Sequence, residues 1–451
     1  MTGEAQIHPG DTDEFAFRAA DNPLPEAVDV AIIGGGIVGS SAAYFLAEAG
    51  VSVALFEKGR IAGEQSGRNW GWVRQQCRSP VELPLMMQSL AIWKELPARL
   101  GEDVGFAQGG TLYLAENEAE LARLAEWLTV AREHGLDTRV IAGRELHQAF
   151  PAGSRFAGAL HTPSDGRAEP SRAGRAIARG AARAGARVVS RCAVRGIETA
   201  AGRISAVVTE HGRVATRAVV CAAGAWTRLF CGSLGIHVPQ LQVINTVARL
   251  APAPKLLEGQ AWSPALAIRR RADGGYTVAH GHASVHSLVP ASFREAFRFL
   301  PAFRASPESI RFAIGRDFFR AIATPSRWAL DTQSPFERER VLNPPPVARE
   351  LREMRAALDA WLPEIAGPGF VETWGGMIEA SPDVLPFIAP IDSIGDFYVA
   401  SGFSGHGFGI GPGAGKLIAD MVSGTADAEQ LRRFRLSRFF DGSPIVPGPA
   451  L

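Results

Sequence analysis

Three glycines near the start of the chain have the spacing of a turn that binds phosphate groups. Gly34, Gly36 and Gly39 follow an aliphatic run, and the chain continues as a helical pattern through Ile37 and Val38. The first glycine permits a tight turn, the second lets the backbone approach a pyrophosphate, and the third lets helix and strand pack closely. Because a helix N-terminus also supplies free N–H groups and partial positive charge, this stretch could bind a dinucleotide.

The residues after this turn supply the context that a dinucleotide site needs. The pattern predicts a helix over 40–49, which Gly50 ends, and a second strand over 51–56. Glu57 ends that strand about 20 residues beyond Gly34, where a carboxylate can accept hydrogen bonds from ribose hydroxyls. We therefore interpret the stretch as a dinucleotide site rather than an incidental glycine-rich turn. The motif does not choose between NAD and FAD.

A polar loop over 58–74 follows, with four more glycines and two tryptophans, Trp70 and Trp72. Loops this rich in special residues commonly contact ligands. In a plain surface connection both tryptophans would be exposed to water, so we predict that they face a flat aromatic ligand and that Trp72 forms part of a pocket wall. The alternative is that both pack in the core.

The remaining candidates for contacts with a ligand are small residues at the end of a strand and a histidine in a glycine-rich loop. The buried strand over 214–221 runs into Ala223 and Gly224, and small residues at a strand end suggest close approach to a ligand. His406 lies in the glycine-rich loop 401–409, where it either makes a polar contact in an active site or is satisfied locally.

Two more histidines alternate along an apparent strand and so face one side. His280 and His282 have no third ligand at a spacing typical of a metal site, so we predict no metal ion and interpret both as polar groups of a pocket.

Composition narrows the class of protein. The chain has 451 residues, enough for two domains, and a net charge of +1 that gives no reason to expect a nucleic-acid partner. Its four cysteines show no paired or metal-binding spacing, which is typical of a reducing compartment. Neither the first 27 residues nor any later run has the apolar character of a signal peptide or a membrane span. We therefore expect a cytoplasmic protein whose membrane contact, if any, is peripheral.

The hydrophobic pattern alternates between strand and helix periods, which predicts an α/β fold. The main predicted helices cover 82–100, 118–134, 173–184, 351–362 and 412–422, and the main predicted strands cover 106–114, 186–194, 196–199, 204–210, 214–221, 243–250, 267–270, 276–279 and 397–400.

Several stretches together resemble the FAD-dependent D-amino acid oxidase superfamily, which includes glycine oxidase and sarcosine oxidase. They are the glycine turn with Glu57, the loop 63–74, the run 222–226, the block 374–386 and the loop 401–409. Within that superfamily, 57–66 and 328–337 are most similar to bacterial membrane-associated L-amino acid deaminases. The resemblance implies FAD rather than NAD.

The resemblance also implies an architecture. It is a glutathione-reductase-like FAD-binding Rossmann domain with a mixed-sheet α+β substrate domain. The FAD-binding domain would be discontinuous, formed by 25–100, 151–226 and 366–440, and the substrate domain would comprise 101–150 and 227–365, with an insertion at 287–328.

Residue roles follow by position from the same resemblance. Glu57 would bind the adenosine ribose, Val194 the adenine edge, and the N-terminus of the last helix, near 409–413, the N1–C2=O side of the flavin. The implied cofactor-binding residues are Gly34, Gly36, Ile37, Val38, Gly39, Glu57, Lys58, Ser66, Gly67, Arg68, Asn69, Trp70, Gly71, Val194, Ala223, Gly224, Trp226, Gly376, Gly405, His406, Gly407, Phe408 and Gly409.

Covalent attachment of FAD in some relatives uses a histidine near the Trp70 position or a late cysteine. Here the neighbours of Trp70 are Asn69 and Gly71, and no cysteine follows Cys231. We therefore predict that FAD is bound non-covalently.

The implied reaction is oxidation of the CH–NH bond of an amino acid, with hydride transfer to flavin N5 and hydrolysis of the imine to a keto acid and ammonia. Oxygen or a membrane quinone would accept the electrons. The alternatives are oxidation of an N-alkyl amino acid or secondary amine, and a non-catalytic flavin-binding subunit. Oligomeric state is not implied.

Substrate contacts are harder to assign. The resembling deaminases have a carboxylate-binding arginine after the strand that starts near Tyr276, but this chain has Ala279, His280, Gly281 and His282 there. We expect Arg316 or Arg320 to supply the guanidinium, then Arg270, with Arg74 as a further candidate. His406 and Trp72 complete the predicted active site.

The segment 287–328 mixes phenylalanines with arginines. Phe293 and Phe297 share a helical face that Arg294 and Arg298 flank, which is typical of an interfacial membrane segment. The segment therefore predicts peripheral contact with the inner face of the membrane. The alternative is a substrate lid or dimer contact whose phenylalanines belong to the core.

Overall fold

The computed structural model describes residues 17–18, 23–282, 284–367 and 369–448. Its strands, in chain order, are β1 (Ala27–Ile33), β2 (Val53–Glu57), β3 (Trp72–Val73), β4 (Ala107–Gln108), β5 (Thr111–Ala115), β6 (Arg139–Ile141), β7 (Gly158–Thr162), β8 (Gly166–Arg167), β9 (Arg187–Ser190), β10 (Val194–Ala200), β11 (Arg203–Thr209), β12 (Gly212–Cys221), β13 (Leu241–Leu250), β14 (Gln260–Trp262), β15 (Ala267–Arg270), β16 (Tyr276–Ala279), β17 (Ser284–Ser287), β18 (Ile310–Ala313), β19 (Glu372–Ala380), β20 (Phe387–Pro390) and β21 (Phe397–Ser401).

The α-helices, in chain order, are α1 (Ile37–Glu48), α2 (Gln65–Arg68), α3 (Leu83–Leu100), α4 (Glu118–Ala125), α5 (Leu128–Glu133), α6 (Gly143–Ala149), α7 (Pro170–Arg183), α8 (Thr227–Ser233), α9 (Pro290–Ala305), α10 (Arg316–Ala323), α11 (Pro335–Arg338), α12 (Ala348–Trp361), α13 (Pro363–Ala366), α14 (Gly407–Val422) and α15 (Ala428–Arg433). No helix of the described ranges is long and apolar enough to cross a membrane.

An eight-stranded sheet carries the glycine turn. Its order is β10-β11-β12-β1-β2-β9, with β21 paired to β12 and β20 paired to β21. Strands β12, β1, β2 and β9 are mutually parallel, so their carboxyl ends meet at one edge. Their aliphatic runs are buried on both faces, as parallel strands covered by helices require.

Small residues let three elements pack closely around this edge. Nearly every residue of α1 is buried, and α1 contacts both α7 and α14. A Cβ added at Gly415 of α14 would lie 2.3 Å from the Cβ of Ser41, and one at Gly411 would lie 2.8 Å from the Ile37 side chain. The glycines of α14 therefore bring its axis against α1, which places the start of α14 beside the glycine turn.

A ten-stranded mixed sheet forms the second layer. Its order is β18-β17-β13-β16-β15-β14-β5-β7-β6, and β19 also pairs with β13. A separate hydrophobic core, which includes Tyr276, Leu160 and Met354, packs on this sheet. Strands β3, β8 and β4 form a small third sheet. The predicted α/β class is confirmed.

Several element boundaries differ from the sequence expectations. The helix predicted over 118–134 is two helices, α4 and α5. The proposed boundaries assign the residues of β7 and β19 to the FAD-binding domain. In the structure both strands lie in the ten-stranded sheet, because β7 pairs with β5 and the whole of β19 pairs with β13. The segment 287–328 contains α9, β18 and α10.

Candidate active site

An elongated cavity runs along the carboxyl edge of the parallel strands. Its empty space is about 1880 Å³ including the open mouth, and both large sheets contribute to its walls. The residues proposed from sequence that line the cavity are Gly34, Gly36, Ile37, Val38, Glu57, Lys58, Ser66, Arg68, Asn69, Trp70, Trp72, Arg74, Val194, Ala223, Gly224, Trp226, His282, Gly376, Gly405, His406, Gly407 and Phe408.

The three glycines of the turn have different structural roles. Gly34 has a positive φ of +108°, and a Cβ there would lie 2.4 Å from the Ala222 carbonyl oxygen. A Cβ at Gly39 would lie 2.1 Å from the Gly34 carbonyl oxygen, so Gly39 packs helix against strand and does not line the cavity. At Gly36 a Cβ would meet only Ser66 Oγ, at 3.1 Å. Gly36 therefore keeps the cavity open above the start of α1.

Glu57 is fixed at the end of β2 by two backbone donors. Its Oε2 accepts from the Gly35 N–H at 2.8 Å and its Oε1 from the Gly59 N–H at 2.7 Å. Burial raises the pKa of Glu57, while Lys58 and these N–H groups act in the opposite direction. Each carboxyl oxygen keeps a second lone pair that can accept from a ligand hydroxyl.

The loop after β2 is held in place by its own side chains. Ser66 Oγ accepts from the Ile37 N–H at 2.9 Å, and the Asn69 side chain bonds to three backbone groups of the loop. Gly67 and Gly71 do not line the cavity. A Cβ at Gly67 would lie 2.3 Å from the Ala62 carbonyl oxygen, and Gly71, with φ +79°, packs against Ala168. Both glycines serve the packing of the loop.

Trp70 and Trp72 both line the cavity and contact each other edge-on, with ring centroids 5.4 Å apart. Trp70 Nε1 donates to Asn245 Oδ1 at 3.0 Å, and Trp72 is buried in β3. The two rings therefore form one rigid apolar wall in which the Trp70 N–H group is satisfied.

Two basic residues of the loop after β2, Lys58 and Arg68, bond to other parts of the protein beside the cavity. Lys58 Nζ donates to Glu64 at 2.7 Å and to two backbone carbonyls of the segment 339–340, and it lies 4.4 Å from the Trp226 ring centroid. Arg68 donates to Asn343 Oδ1 at 2.6 Å. Both cations therefore join the loop after β2 to the segment 339–343, of which Val341 lines the cavity.

Helix α14 begins at Gly407, five residues before the start predicted at 412 and two residues before the range 409–413 implied for its N-terminus. The Gly409 carbonyl accepts from Ser89 Oγ at 2.7 Å and from Trp93 Nε1 at 2.8 Å, so Gly409 faces α3 and not the cavity. These tertiary hydrogen bonds stabilise a glycine-rich first turn that propensity alone disfavours. The positive end of the helix dipole lies at the cavity wall, next to His406.

His406 belongs to a buried charged cluster. Its Nδ1 lies 3.0 Å from Glu82 Oε2, and Arg78 Nη1 lies 3.6 Å from the same oxygen. Burial lowers the pKa of His406 to about 4 and that of Arg78 to about 10. Burial raises the pKa of Glu82, but the charges of His406, Arg78 and Arg74 outweigh it and lower it to about 2. At neutral pH, where His406 is uncharged, the two arginines oppose the Glu82 charge.

These protonation states fix the His406 tautomer. An ionised Glu82 can only accept, so the neutral imidazole carries its proton on Nδ1 and has a lone pair on Nε2. Nε2 is buried and has no hydrogen-bond partner among the described residues. His406 is therefore held as an acceptor at the cavity wall.

Arg74 and Arg78 also line the cavity, and the sequence expectations placed Arg74 last and omitted Arg78. Arg74 lies over the Tyr113 ring at 5.5 Å and donates through one Nη to the Gln76 carbonyl. Its other guanidinium donors have no partner among the described residues. Arg74 is thus a buried cation with donors left for a ligand.

The three arginines preferred from sequence lie away from the cavity. Arg270 donates to the Ala253 carbonyl at 3.0 Å, Arg320 pairs with Glu339, and Arg316 is exposed at the start of α10. None of the three arginines lines the cavity, and no described residue of the segment 287–328 does so, so the geometry does not support any of them as a ligand of the substrate.

The FAD dependent oxidoreductase family, DAO, matches residues 29–421 of the chain. The chain belongs to this family. The predicted resemblance and fold are therefore confirmed, and the family implies FAD as cofactor. The L-amino acid deaminase of Proteus myxofaciens, whose structure was solved with anthranilate, is 34% identical, with a TM-score of 0.88 over 92% of this chain and 94% of that one.

Curated relatives of this flavoprotein family are more distant. Glycine oxidase of Geobacillus kaustophilus (strain HTA426) is 28% identical over 422 residues, which cover 91% of this chain and 97% of the relative. The formaldehyde-forming 4-methylaminobutanoate oxidase of Paenarthrobacter nicotinovorans is 25% identical over 92% of this chain but 46% of its own length. The chain spans less than half the length of several such relatives, among them sarcosine and dimethylglycine dehydrogenases of Mus musculus.

The cavity of this flavoprotein fits FAD on its own geometry. The glycine turn leaves room only above Gly36, the carboxyl oxygens of Glu57 have free lone pairs, and the positive end of α14 lies at the cavity wall next to His406. An electron-rich flavin ring is stabilised by such a helix end. The sequence analysis missed three residues of this cavity: Arg78 and Glu379 line it, and Glu82 pairs with Arg78 and His406. No motif marks them. The one available sign was the spacing of four residues, about one helical turn, that separates Arg74, Arg78 and Glu82.

Proposed function

We propose that this flavoprotein oxidises the CH–NH bond of an amino acid and that the resulting imine is hydrolysed to a keto acid and ammonia. The observation that carries the proposal is Arg74, a buried guanidinium with unused donors in the cavity that contains the glycine turn. A guanidinium with free donors binds a carboxylate strongly. The likeness to an L-amino acid deaminase supports the same substrate class.

Different residues of the chain would bind FAD and the substrate. Gly34, Gly36 and the start of α1 would hold the pyrophosphate of FAD, and Glu57 and Val194 the adenosine part. Bound FAD supplies the hydride acceptor. Arg74 would hold the substrate carboxylate, which orients the CH–NH bond.

Two groups would prepare the substrate for oxidation. The wall of Trp70 and Trp72 would exclude water from the reacting carbon, and the Nε2 lone pair of neutral His406 could accept a hydrogen bond from the substrate amine. A neutral amine is needed because an ammonium group has no lone pair to support loss of the hydride.

An anaerobic substrate panel tests the proposal. Free amino acids, their N-methyl forms and the corresponding amides are each mixed with the holoprotein, and bleaching of the flavin absorbance is followed. We expect free amino acids to bleach it and to release ammonia, while amides fail. Bleaching confined to N-methyl substrates, with release of methylamine or formaldehyde, would favour the N-alkyl alternative that the curated relatives represent. A panel that bleaches nothing would indicate a non-catalytic flavin-binding subunit.

We propose further that FAD is bound non-covalently.

We also propose that the chain contacts anionic membranes. Exposed large hydrophobic residues concentrate in one segment, namely Phe293, Phe297, Phe312, Ile314, Phe319 and Ile322. Phe297 is 90% exposed and Phe319 is 72% exposed, and arginines flank both. Apolar side chains flanked by cations suit the interface of an anionic bilayer, where a quinone could accept the electrons instead of oxygen.

Co-sedimentation with phosphatidylglycerol vesicles tests this contact. We expect the protein to pellet with vesicles at low salt, and we expect Phe297→Ser together with Phe319→Ser to reduce the pelleted fraction severalfold. Val446→Ser is the matched control, because Val446 is 68% exposed but lies outside the segment. A wild-type protein that stays in the supernatant and yields peroxide stoichiometrically in air would contradict the contact and identify oxygen as acceptor.

A further inference from the structure

Glu379 is a buried carboxyl group in the cavity wall that none of the roles above uses. It lies on β19, lines the cavity, and is 3% exposed. Its Oε2 has no hydrogen-bond partner among the described residues. The Gln65 side chain and the Phe403 backbone lie near enough to this carboxyl group to act on its pKa, and both lower it. A buried polar atom without a partner is costly unless a ligand satisfies it.

The neighbours of Glu379 place it beside the middle of the cavity. Gln65 precedes Ser66, whose Oγ accepts from the first N–H of α1, and a Cβ at Gly224 would lie 3.3 Å from Gln65 Nε2. On the other side, the Glu379 carbonyl accepts from the Ser404 N–H at 3.1 Å, in the loop that leads into α14. Glu379 is therefore flanked by the residue that precedes Ser66 and by the loop that leads into α14, and its side chain lines the same cavity as the glycine turn.

Among the described residues, no cation is paired with Glu379. On the adjacent strand β13, the residue opposite Glu379 is the uncharged Gln242. The charged groups of the other surrounding elements have other partners in the described structure: Lys58 with Glu64, Arg68 with Asn343, Arg438 with Asp383, and His406 with Glu82 and through it Arg78. Burial raises the pKa of Glu379 to about 7, and the nearby Glu64 charge acts in the same direction.

We propose that Glu379 is a proton-carrying ligand of the cofactor, which binds the phosphate–polyol part of FAD in its protonated form, so that FAD binding takes up a proton. A protonated carboxyl group can donate to a phosphate or polyol oxygen, whereas an ionised one can only accept. The negative charges of the pyrophosphate also favour protonation of a nearby carboxyl group. The inference rests on reversible FAD binding as proposed above, and it is independent of the substrate.

The expected pH dependence follows from linkage. Below pH 7 the carboxyl group is protonated with and without FAD, so FAD affinity does not change with pH. Above pH 7 the free protein loses the proton and must regain it on binding. The affinity therefore falls by about tenfold for each pH unit until the pH reaches the raised pKa of the complex.

Release of FAD from diluted holoprotein tests this expectation. Wild-type protein, Glu379→Gln and Glu350→Gln are diluted in buffers from pH 6 to pH 9, and free flavin is measured by fluorescence after ultrafiltration. The amide introduced by Glu379→Gln is a neutral mimic of the protonated carboxyl group at every pH. We therefore expect this variant to bind FAD like wild type at pH 6 and at least about tenfold more tightly than wild type at pH 9. A merely structural role does not predict tighter binding.

Glu350→Gln is the matched control. Glu350 is also fully buried with a raised pKa, but it does not line the cavity, so its variant should show the wild-type pH dependence. The same pH dependence in Glu379→Gln and wild type would overturn the proposal.

Calorimetry on wild-type protein stripped of FAD provides a second measurement that needs no variant. FAD titrations at pH 8 in two buffers of different ionisation enthalpy should report uptake of close to one proton, and uptake near zero would also overturn the proposal. Acid precipitation tests separately whether FAD binds reversibly, which the Glu379 proposal assumes. Covalently attached flavin would remain with the precipitated polypeptide, whereas non-covalent FAD would be released.

Discussion

A Gly36→Val variant should fold normally yet purify without FAD. At this position the backbone has φ −72° and ψ 177°, which valine adopts readily. A Cβ would meet only Ser66 Oγ, so the branched side chain would project into the cavity rather than into the protein. It would occupy the space where the backbone approaches the pyrophosphate, and we expect flavin content to fall to background.

The measurement is the ratio of flavin to protein absorbance, together with the thermal unfolding of the protein freed of FAD. Gly232→Val is the matched control, because Gly232 is exposed, has nothing within 4 Å of its added Cβ and lies away from the cavity. A folded Gly36→Val protein with a full complement of FAD would show that the phosphate-binding site is elsewhere.

The features that were predictable from sequence are those that neighbours in the chain determine. The turn at Gly34 and Gly36, with a strand before it and a helix after it, is set by local steric requirements. Glu57 ends the next strand, so its position at the same edge follows from parallel pairing of β1 with β2. The wall of Trp70 and Trp72 was also predicted, because two tryptophans in a short loop need a hydrophobic contact.

The features that sequence did not reveal depend on contacts between distant residues. Glu82 and His406 are separated by 324 positions, and only the packing of α14 against α3 brings them together. The same packing extends α14 back to Gly407, because Ser89 and Trp93 bond to the Gly409 carbonyl. Four of the glycines proposed to touch the cofactor instead pack backbone against backbone or helix against helix, namely Gly39, Gly67, Gly71 and Gly409.

The choice of the arginine that binds the substrate carboxylate could not be made from sequence. Arg316 and Arg320 were preferred because they fall near the segment 287–328, which could form a lid, but no described residue of that segment lines the cavity. Arg74 was a weaker candidate in a loop without a clear pattern, yet Asp165 fixes that loop by accepting from the backbone N–H groups of Gln75 and Gln76. Asp165 lies far along the chain from Arg74, so the sequence contains no local sign of this support.

Replacement of Arg74 should weaken substrate binding strongly without loss of FAD. We expect Arg74→Met to raise the KM for a free amino acid by about 100-fold, since a desolvated guanidinium–carboxylate pair contributes roughly 3 kcal/mol. Arg74→Lys should recover part of the loss, because a lysine supplies charge but not two parallel donors. Arg270→Met is the matched control, since Arg270 bonds to backbone carbonyls away from the cavity and its loss should leave KM unchanged.

A comparison of two substrates separates a direct contact from a structural effect. The wild-type protein should prefer a free amino acid over its amide by about 100-fold, and Arg74→Met should abolish most of that preference, because both substrates then lack the guanidinium partner. A variant that merely distorts the loop would slow both substrates equally and keep the preference. If Arg74→Met retained the full preference with normal flavin content and unfolding temperature, the carboxylate would bind elsewhere in the cavity, and Arg78 would be the next residue to replace because it lines the same wall.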